Sequence, residues 1–356
     1  MNISNLRKET SERSDAANWA KDLLIKHTPL FYESIEGCNQ NASNTVTHLL
    51  ERARFDNDGV SKDLDTILEQ IIVLEGKEAL ERKINFSTLF SIPLTYCLYC
   101  DETESVHLYN LISIEDLTVL QRFTTYKEFS DWIATQKQWK SNKAFRENED
   151  LPNFDKQLRK AGTAWPTNLD CFITDKTNKP LAIIEYQNAD RIGVANHCNN
   201  DYLLCKQSYK NNWGHTNYHD DIRRWTSQEI LRVQSGLRFF VITWSTINDD
   251  YILKEIESIA LPYFPLAANG TIDWNYSNAY KASMNEYAST KNAKSQADLT
   301  AKGKTFNFSS GIPLNVIINH PPLSIVNKTF PSIYYKYKKL NQGNKTELLT
   351  DFMGIL

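Results

Sequence analysis

Asp170, Glu185 and Gln187 are the residues whose types and spacing point to chemistry. Asp170 lies in Asn168-Leu-Asp-Cys-Phe-Ile-Thr174, a run that reads as a β-strand. Asp175-Lys-Thr-Asn-Lys179 reads as a turn, and Pro180-Leu-Ala-Ile-Ile-Glu-Tyr-Gln187 as a second strand. Residues two apart on a strand project to the same face, so Glu185 and Gln187 share a surface and Tyr186 points away. A hairpin closing around residues 175–179 brings the Asp170 carboxylate alongside Glu185. The run Leu181 to Ile184 should be buried, and an ionised carboxylate at its end costs free energy unless a cation compensates it. A hard divalent metal meets that need. Mg²⁺ prefers oxygen ligands and takes only one or two protein carboxylates, leaving positions for water and a phosphate oxygen.

The flanking elements must hold this pair. Residues 220–234 set Ile222, Trp225, Ile230 and Val233 into a charged run with Gly236 beyond it, the pattern of a helix and its stop. Leu237 to Trp244 is almost wholly apolar over strand length, as a strand buried on both faces would be. The expected order is strand, strand, helix, buried strand, helix. Upstream, Ala17, Trp19, Leu23 and Leu24, then Val46, Leu49 and Leu50, then Leu64, Ile67, Leu68, Ile71 and Ile72 recur at helical spacing, predicting three helices. Ser61 is the expected N-cap of the third, and Gly76 interrupts it near its end. Ile92 to Leu98 and Val106 to Ile112 alternate with period two, a hairpin turning at 101–104. A helix is expected over 126–145, burying Phe129, Trp132, Ile133 and Trp139. Ile312 to Asn319 reads as a late strand. The reading divides the chain into a mainly helical N-terminal region with a small β-hairpin (1–150), a core (151–268) and a basic C-terminal region (269–356).

Asn168-Leu-Asp170, fourteen residues, then Glu185-Tyr-Gln187 resembles the PD-(D/E)XK nuclease superfamily, whose active-site acids sit on such a hairpin. The likeness covers about residues 153–260. Asn-Leu stands where the family often shows Pro before its Asp, and Gln187 where it most often has Lys. The resemblance implies an α/β, restriction-endonuclease-like core, a mixed sheet flanked by helices. It also implies a Mg²⁺-dependent endonuclease, with Mn²⁺ able to substitute, that hydrolyses phosphodiester bonds in duplex DNA as a homodimeric type II restriction enzyme. Asp170, Glu185 and the Tyr186 carbonyl would be the metal ligands, Gln187 would orient the attacking water, and Asp155 is the best-placed additional acid. Arg223 or Arg224 would face the scissile phosphate. The alternative is a catalytically inactive, nuclease-like nucleic-acid-binding protein or a subunit of a defence complex.

A chain of 356 residues suits two domains or one elaborated domain. Phe86 to Cys100, the longest weakly polar stretch, carries Ser87, Thr88, Ser91 and Thr95 and is too short to span a bilayer. The start, MNISNLRKETSERSD, has no apolar core of a secretory signal, so a cytoplasmic protein with six reduced cysteines is expected. Charge is uneven: residues 271–356 hold ten lysines and five acids, while residues 1–270 carry a net charge of −8. Lys281, Lys291, Lys294, Lys302 and Lys304 are candidates for contacting a polyanion, with a solvated surface as the plain alternative. Lys206 and Lys210 interleave with Tyr202, Tyr209, Trp213 and Tyr218, a texture suited to stacking on bases while pairing phosphates. His197, Cys198, Cys205, His215 and His219 follow one another at a spacing longer than most structural zinc knuckles, so ordinary loop residues are the competing reading. Cys97-Leu-Tyr-Cys100 reads as structural, and Gly303-Lys-Thr305 lacks the earlier glycine of a phosphate loop, Asp298 standing there.

Overall fold

The computed structural model describes residues 3–4, 28–41, 43–56, 63–137, 152–189, 193–195, 205–210, 216–220, 222–245, 247–259 and 333–356. The protein is α/β and packs as two compact units. The first comprises Met1–Asn41, Thr45–Ile184 and Gln234–Leu237, the second Ala42–Asn44, Glu185–Val233 and Arg238–Leu356.

The first unit is built on strands β1 (Ile3–Ser4), β2 (Phe31–Gln40), β3 (Val46–Phe55), β4 (Leu94–Tyr99), β5 (Val106–Ser113), β6 (Asp116–Phe123), β7 (Thr167–Thr174) and the first part of β8 (Pro180–Asn188). Their order is β8-β7-β2-β3-β4-β5-β6, with β1 added to β3. The sheet is mixed, because β3 and β4 run parallel whereas the pairs β2/β3, β2/β7, β4/β5, β5/β6 and β7/β8 are antiparallel. A parallel pair needs a crossover. It is supplied by α1 (Leu64–Glu75) and α2 (Lys77–Thr88). Asp63 caps α1, its carboxylate accepting the Asp65 and Thr66 N–H groups at 3.3 Å each. Gly76, at φ 85°, separates α1 from α2 at the expected interruption. The expected cap Ser61 lies outside the described residues.

Two consecutive residues of β3 show how the layers are arranged. Glu51 reaches Lys83 of α2 at 2.8 Å, and Arg52 reaches Asp155 of α4 (Asn153–Ala161) at 3.1 Å. Neighbours on a strand point to opposite faces, so α1 and α2 cover one side of this sheet and α4, with α3 (Tyr126–Lys137), the other. The α3/α4 side closes over Leu50, Tyr99, Val106, Phe129, Phe154 and Trp165. The Tyr99 and Phe154 rings stack 4.1 Å apart.

Residues 46–55 form a strand, not the expected helix. Val46, Leu49, Leu50, Ala53 and Phe55 are all buried, and a strand covered on both faces need not alternate, so the helical spacing of these residues is coincidental. The described residues of the N-terminal region thus form a sheet with helices, and its mainly helical character is not confirmed. The hairpin of β4 and β5 matches expectation. The helix expected over 126–145 is α3, with Phe129 and Ile133 buried; Trp139 and the helix expected around 17–24 lie outside the described residues.

The second unit takes the rest of β8, then β9 (Cys205–Lys210), β10 (Thr216–Asp220), α5 (Ile222–Ser235) as far as Val233, β11 (Arg238–Trp244), β12 (Tyr251–Ile259), β13 (Ile333–Asn341) and α6 (Glu347–Ile355). Its strands follow β8-β11-β12-β13, while β9 and β10 form a separate antiparallel pair. Gly236, at φ 69°, follows α5 as expected. β11 is the anticipated buried strand, with residues 239–244 all buried. The next element is the strand β12, not a helix. Ser245 accepts the Ile247 and Asn248 N–H groups at 3.0 and 3.1 Å, turning the chain back so that β12 pairs antiparallel with β11. Phe352 of α6 packs edge-on to Phe240, ring centroids 5.1 Å apart. Arg238 forks onto Glu255 at 2.8 and 2.7 Å. The strand expected at 312–319 lies outside the described residues.

Candidate active site

The β7–β8 hairpin closes where the sequence places it. Asp175 Oδ1 accepts the Thr177 N–H at 2.8 Å, the Thr177 hydroxyl at 2.6 Å and the Lys179 N–H at 3.1 Å. Asn178 takes φ 62°, a left-handed conformation that Asn tolerates. From this turn the pairing runs through Ile173 opposite Ala182 and Phe172 opposite Ile183 to Cys171 opposite Ile184. Asp170 and Glu185 are the next residue on each strand. Cys171, Phe172, Ala182, Ile183 and Ile184 are wholly buried, and the two acids that follow are 8% and 3% exposed. The backbone passes from the first unit to the second between Ile184 and Glu185.

In the first unit the Asn168 amide donates to Asp170 Oδ1 at 2.6 Å, two residues along the same strand face. Asp155 is answered by Arg52 at 3.1 Å, and Arg52 also donates from Nε to Glu36 Oε2 at 2.8 Å. The Arg52 guanidinium lies 4.6 Å from the centre of the Trp165 ring. Burial opposes the Arg52 charge, but the Asp155 and Glu36 carboxylates more than restore it and hold its pKa above the usual arginine value. No local pattern around Asp155 announces this cation.

In the second unit Gln228 of α5, wholly buried, donates from Nε2 to Glu185 Oε2 at 3.4 Å. Its Oε1 is shielded from water and meets no hydrogen-bond partner. Gln187 Oε1 accepts the Thr243 hydroxyl of β11 at 3.0 Å, which fixes the amide and leaves its NH₂ as a donor. Gln228 is a residue that the sequence reading does not single out. The available signal is its place in the stripe Trp225, Gln228, Leu231, where an amide interrupts apolar spacing; Leu231 is wholly buried, whereas Val233, expected to be set into the helix face, is 56% exposed.

The remaining expected site residues are not brought to either acid by what is described. Arg223 and Arg224 lie in the first turn of α5, and Lys206 and Lys210 on β9, with their side chains outside the described residues. Lys281, Lys291, Lys294, Lys302 and Lys304 lie outside them altogether, as do His197, Cys198 and His215. Cys205 and His219 occupy β9 and β10. Among the described residues no group of three or more His, Cys, Asp or Glu is arranged to hold a metal. Cys97 and Cys100 are buried thiols; burial pushes the Cys97 pKa up, which suits a structural role. Among the described residues no helix is long and apolar enough to cross a membrane. Comparison with protein-family models, with curated proteins and with solved structures finds no match to this chain.

Proposed function

We propose that the chain is a metal-dependent endonuclease that hydrolyses phosphodiester bonds in duplex DNA, a restriction-type enzyme acting in the cytoplasm as a homodimer. One observation carries the reading: Glu185, a carboxylate 3% exposed at the end of a wholly buried apolar run, touches a glutamine whose carbonyl oxygen is itself buried without a partner. A buried carboxylate beside an unanswered carbonyl is a donor set that suits a hard cation. The resemblance would add the Asp170 carboxylate and the Tyr186 main-chain carbonyl to the ligand set. These groups fit Mg²⁺ or Mn²⁺, which when bound supplies positive charge for the phosphate and lowers the pKa of water.

The chain's own groups then have separable roles. The Asn168 amide fixes one oxygen of Asp170, and the Gln228 amide holds Glu185. Gln187, its oxygen engaged by Thr243, orients water through its NH₂ but has no basic atom to take a proton. Arg223, Arg224, Lys206 and Lys210, with Lys294, Lys302 and Lys304, would supply the phosphate contacts. The other reading is a nuclease-like protein that binds nucleic acid without cutting. The two separate in one experiment. The enzyme converts supercoiled plasmid to discrete linear fragments in Mg²⁺ and leaves it intact in EDTA. Affinity for duplex unchanged by EDTA, with no nicking on long incubation in Mg²⁺, would establish the non-cutting protein instead.

A further inference from the structure

Strand β6 ends the sheet of the first unit: it pairs with β5 on one side and with no described strand on the other. Asp116 and residues Thr118 to Arg122 of β6 are exposed, Val119 and Leu120 among them, and so is Ile112 of β5. Leu120 is the extra residue of a bulge, unmatched between the Tyr109–Val119 and Leu108–Gln121 pairs, so it stands out of the ladder at the rim. The unpaired backbone groups along such a strand are a template for another strand, and proteins that keep an edge single place lysine on it. In the second unit the end strand β13 does so, with Lys336 and Lys338 exposed. β6 carries no lysine and exposes aliphatic side chains instead.

The charges on β6 select the guest. Asp116 and Arg122 stand near opposite ends of the strand, about 20 Å apart, so they do not meet within one chain. Neither has an ion-pair partner among the described residues. Arg122 bonds the Tyr109 hydroxyl of β5, and the other N–H groups of its fork remain to donate. A strand with an acid at one end and an arginine at the other is complementary to itself run antiparallel. A two-fold axis through such a pair sets one residue opposite its own copy, and every other contact then occurs twice. Centring the axis on Val119 sets Asp116 opposite Arg122 of the second copy at both ends, Leu117 opposite Gln121 and Thr118 opposite Leu120. Centring it one residue to either side moves Asp116 opposite Leu120 or Thr124 and breaks both charge pairs. Opposite charges facing across a ladder stabilise it, as do aliphatic pairs. We infer that β6 is the docking edge for a second copy of this chain, the two sheets joining antiparallel about Val119. The inference rests on the homodimer of the proposed function and supplies its interface, while owing nothing to cleavage.

The test is sedimentation velocity of the full chain over a concentration series, without metal or DNA. The parent should sediment as two chains at high concentration and as one on dilution. Val119→Lys sets two like charges against each other at the axis and should give single chains wherever the parent is paired. Asp116→Arg or Arg122→Asp alone should weaken the dimer by about tenfold or more, because each turns two symmetric attractions into repulsions. The double exchange, Asp116→Arg with Arg122→Asp, restores both pairs in the same register and should bring the dissociation constant back toward the parent's. These positions are exposed, so the circular dichroism of each variant should match the parent. A parent that stays single at hundreds of micromolar, a dimer indifferent to Val119→Lys, or a double exchange that binds no tighter than the single variants overturns the interface. A dimer that obeys this pattern but does not cut plasmid supports the interface and counts against the nuclease, and single chains that cut do the reverse.

Discussion

Replacing Gln228 with Met keeps the volume of the side chain and removes both ends of its amide. Glu185 Oε2 then no longer accepts the Gln228 amide at 3.4 Å, a long hydrogen bond whose net contribution sits near the low end for a charged acceptor, about 1.5 kcal/mol. The same change removes a buried carbonyl without a partner, which costs the parent about 1 kcal/mol or more. The two nearly cancel, and the stability read from urea unfolding should shift by less than about 1 kcal/mol. Cleavage should respond differently. A carboxylate freed from its clamp can move by the ~1 Å that costs about a hundredfold in rate, equivalent to about 2.7 kcal/mol of barrier. Single-turnover cleavage across a Mg²⁺ titration measures this, and the Mg²⁺ concentration for half-maximal rate should rise as well. Parent rate at every Mg²⁺ concentration from a folded Gln228→Met protein would refute the positioning role and remove the main support for Glu185 as a ligand.

Three further outcomes follow from the first unit. Lys83 sits between Glu51 at 2.8 Å and Glu75 at 2.9 Å, all three side chains at most 1% exposed. Lys83→Met leaves two buried carboxylates uncompensated and should cost about 3–5 kcal/mol at neutral pH, the loss shrinking in acid as they protonate; a loss under about 1 kcal/mol in urea unfolding would count against the ion triad. Burial lowers the His48 pKa to about 4 from an unfolded value near 6.5. The unfolded chain therefore takes up a proton between pH 6.5 and 4 that the folded chain does not, and stability falls as pH falls across that window, by up to about 3 kcal/mol. His48→Gln should remove this slope, seen as the difference between parent and variant unfolding curves, and parallel curves would contradict it. A Cβ on Gly37 would lie 2.9 Å from Trp165 Nε1, which donates to the Glu36 carbonyl at 2.9 Å, so Gly37→Ala should destabilise by about 1–3 kcal/mol in the same assay.

The β7–β8 hairpin was legible because its signals are local. Asp175 and Asn178 mark the turn, the apolar run of residues 181–184 marks burial, and the period of two places Glu185 and Gln187. Strand β11 and the stop at Gly236 were legible for the same reason. Strand β3 was not, since a strand buried on both faces by distant helices loses its alternation and Val46, Leu49 and Leu50 imitate a helix. Strand β12 was hidden similarly: Lys254 and Glu255 fall inside it yet are buried, Glu255 answered by Arg238, a pairing no local pattern announces. The Asp155–Arg52 pair joins residues 103 apart in sequence, and Gln228 meets Glu185 across 43, so both depend on the tertiary fold.

The most direct measurement is single-turnover cleavage of a plasmid by the parent, Asp170→Ala and Glu185→Ala in Mg²⁺, with circular dichroism and duplex binding on the same preparations. Removing a carboxylate from an anionic site also removes repulsion toward phosphate, so both variants should fold and bind duplex at least as tightly as the parent while cutting stops. Both variants cutting at the parent rate would contradict the assignment of Asp170 and Glu185 as the metal-binding pair.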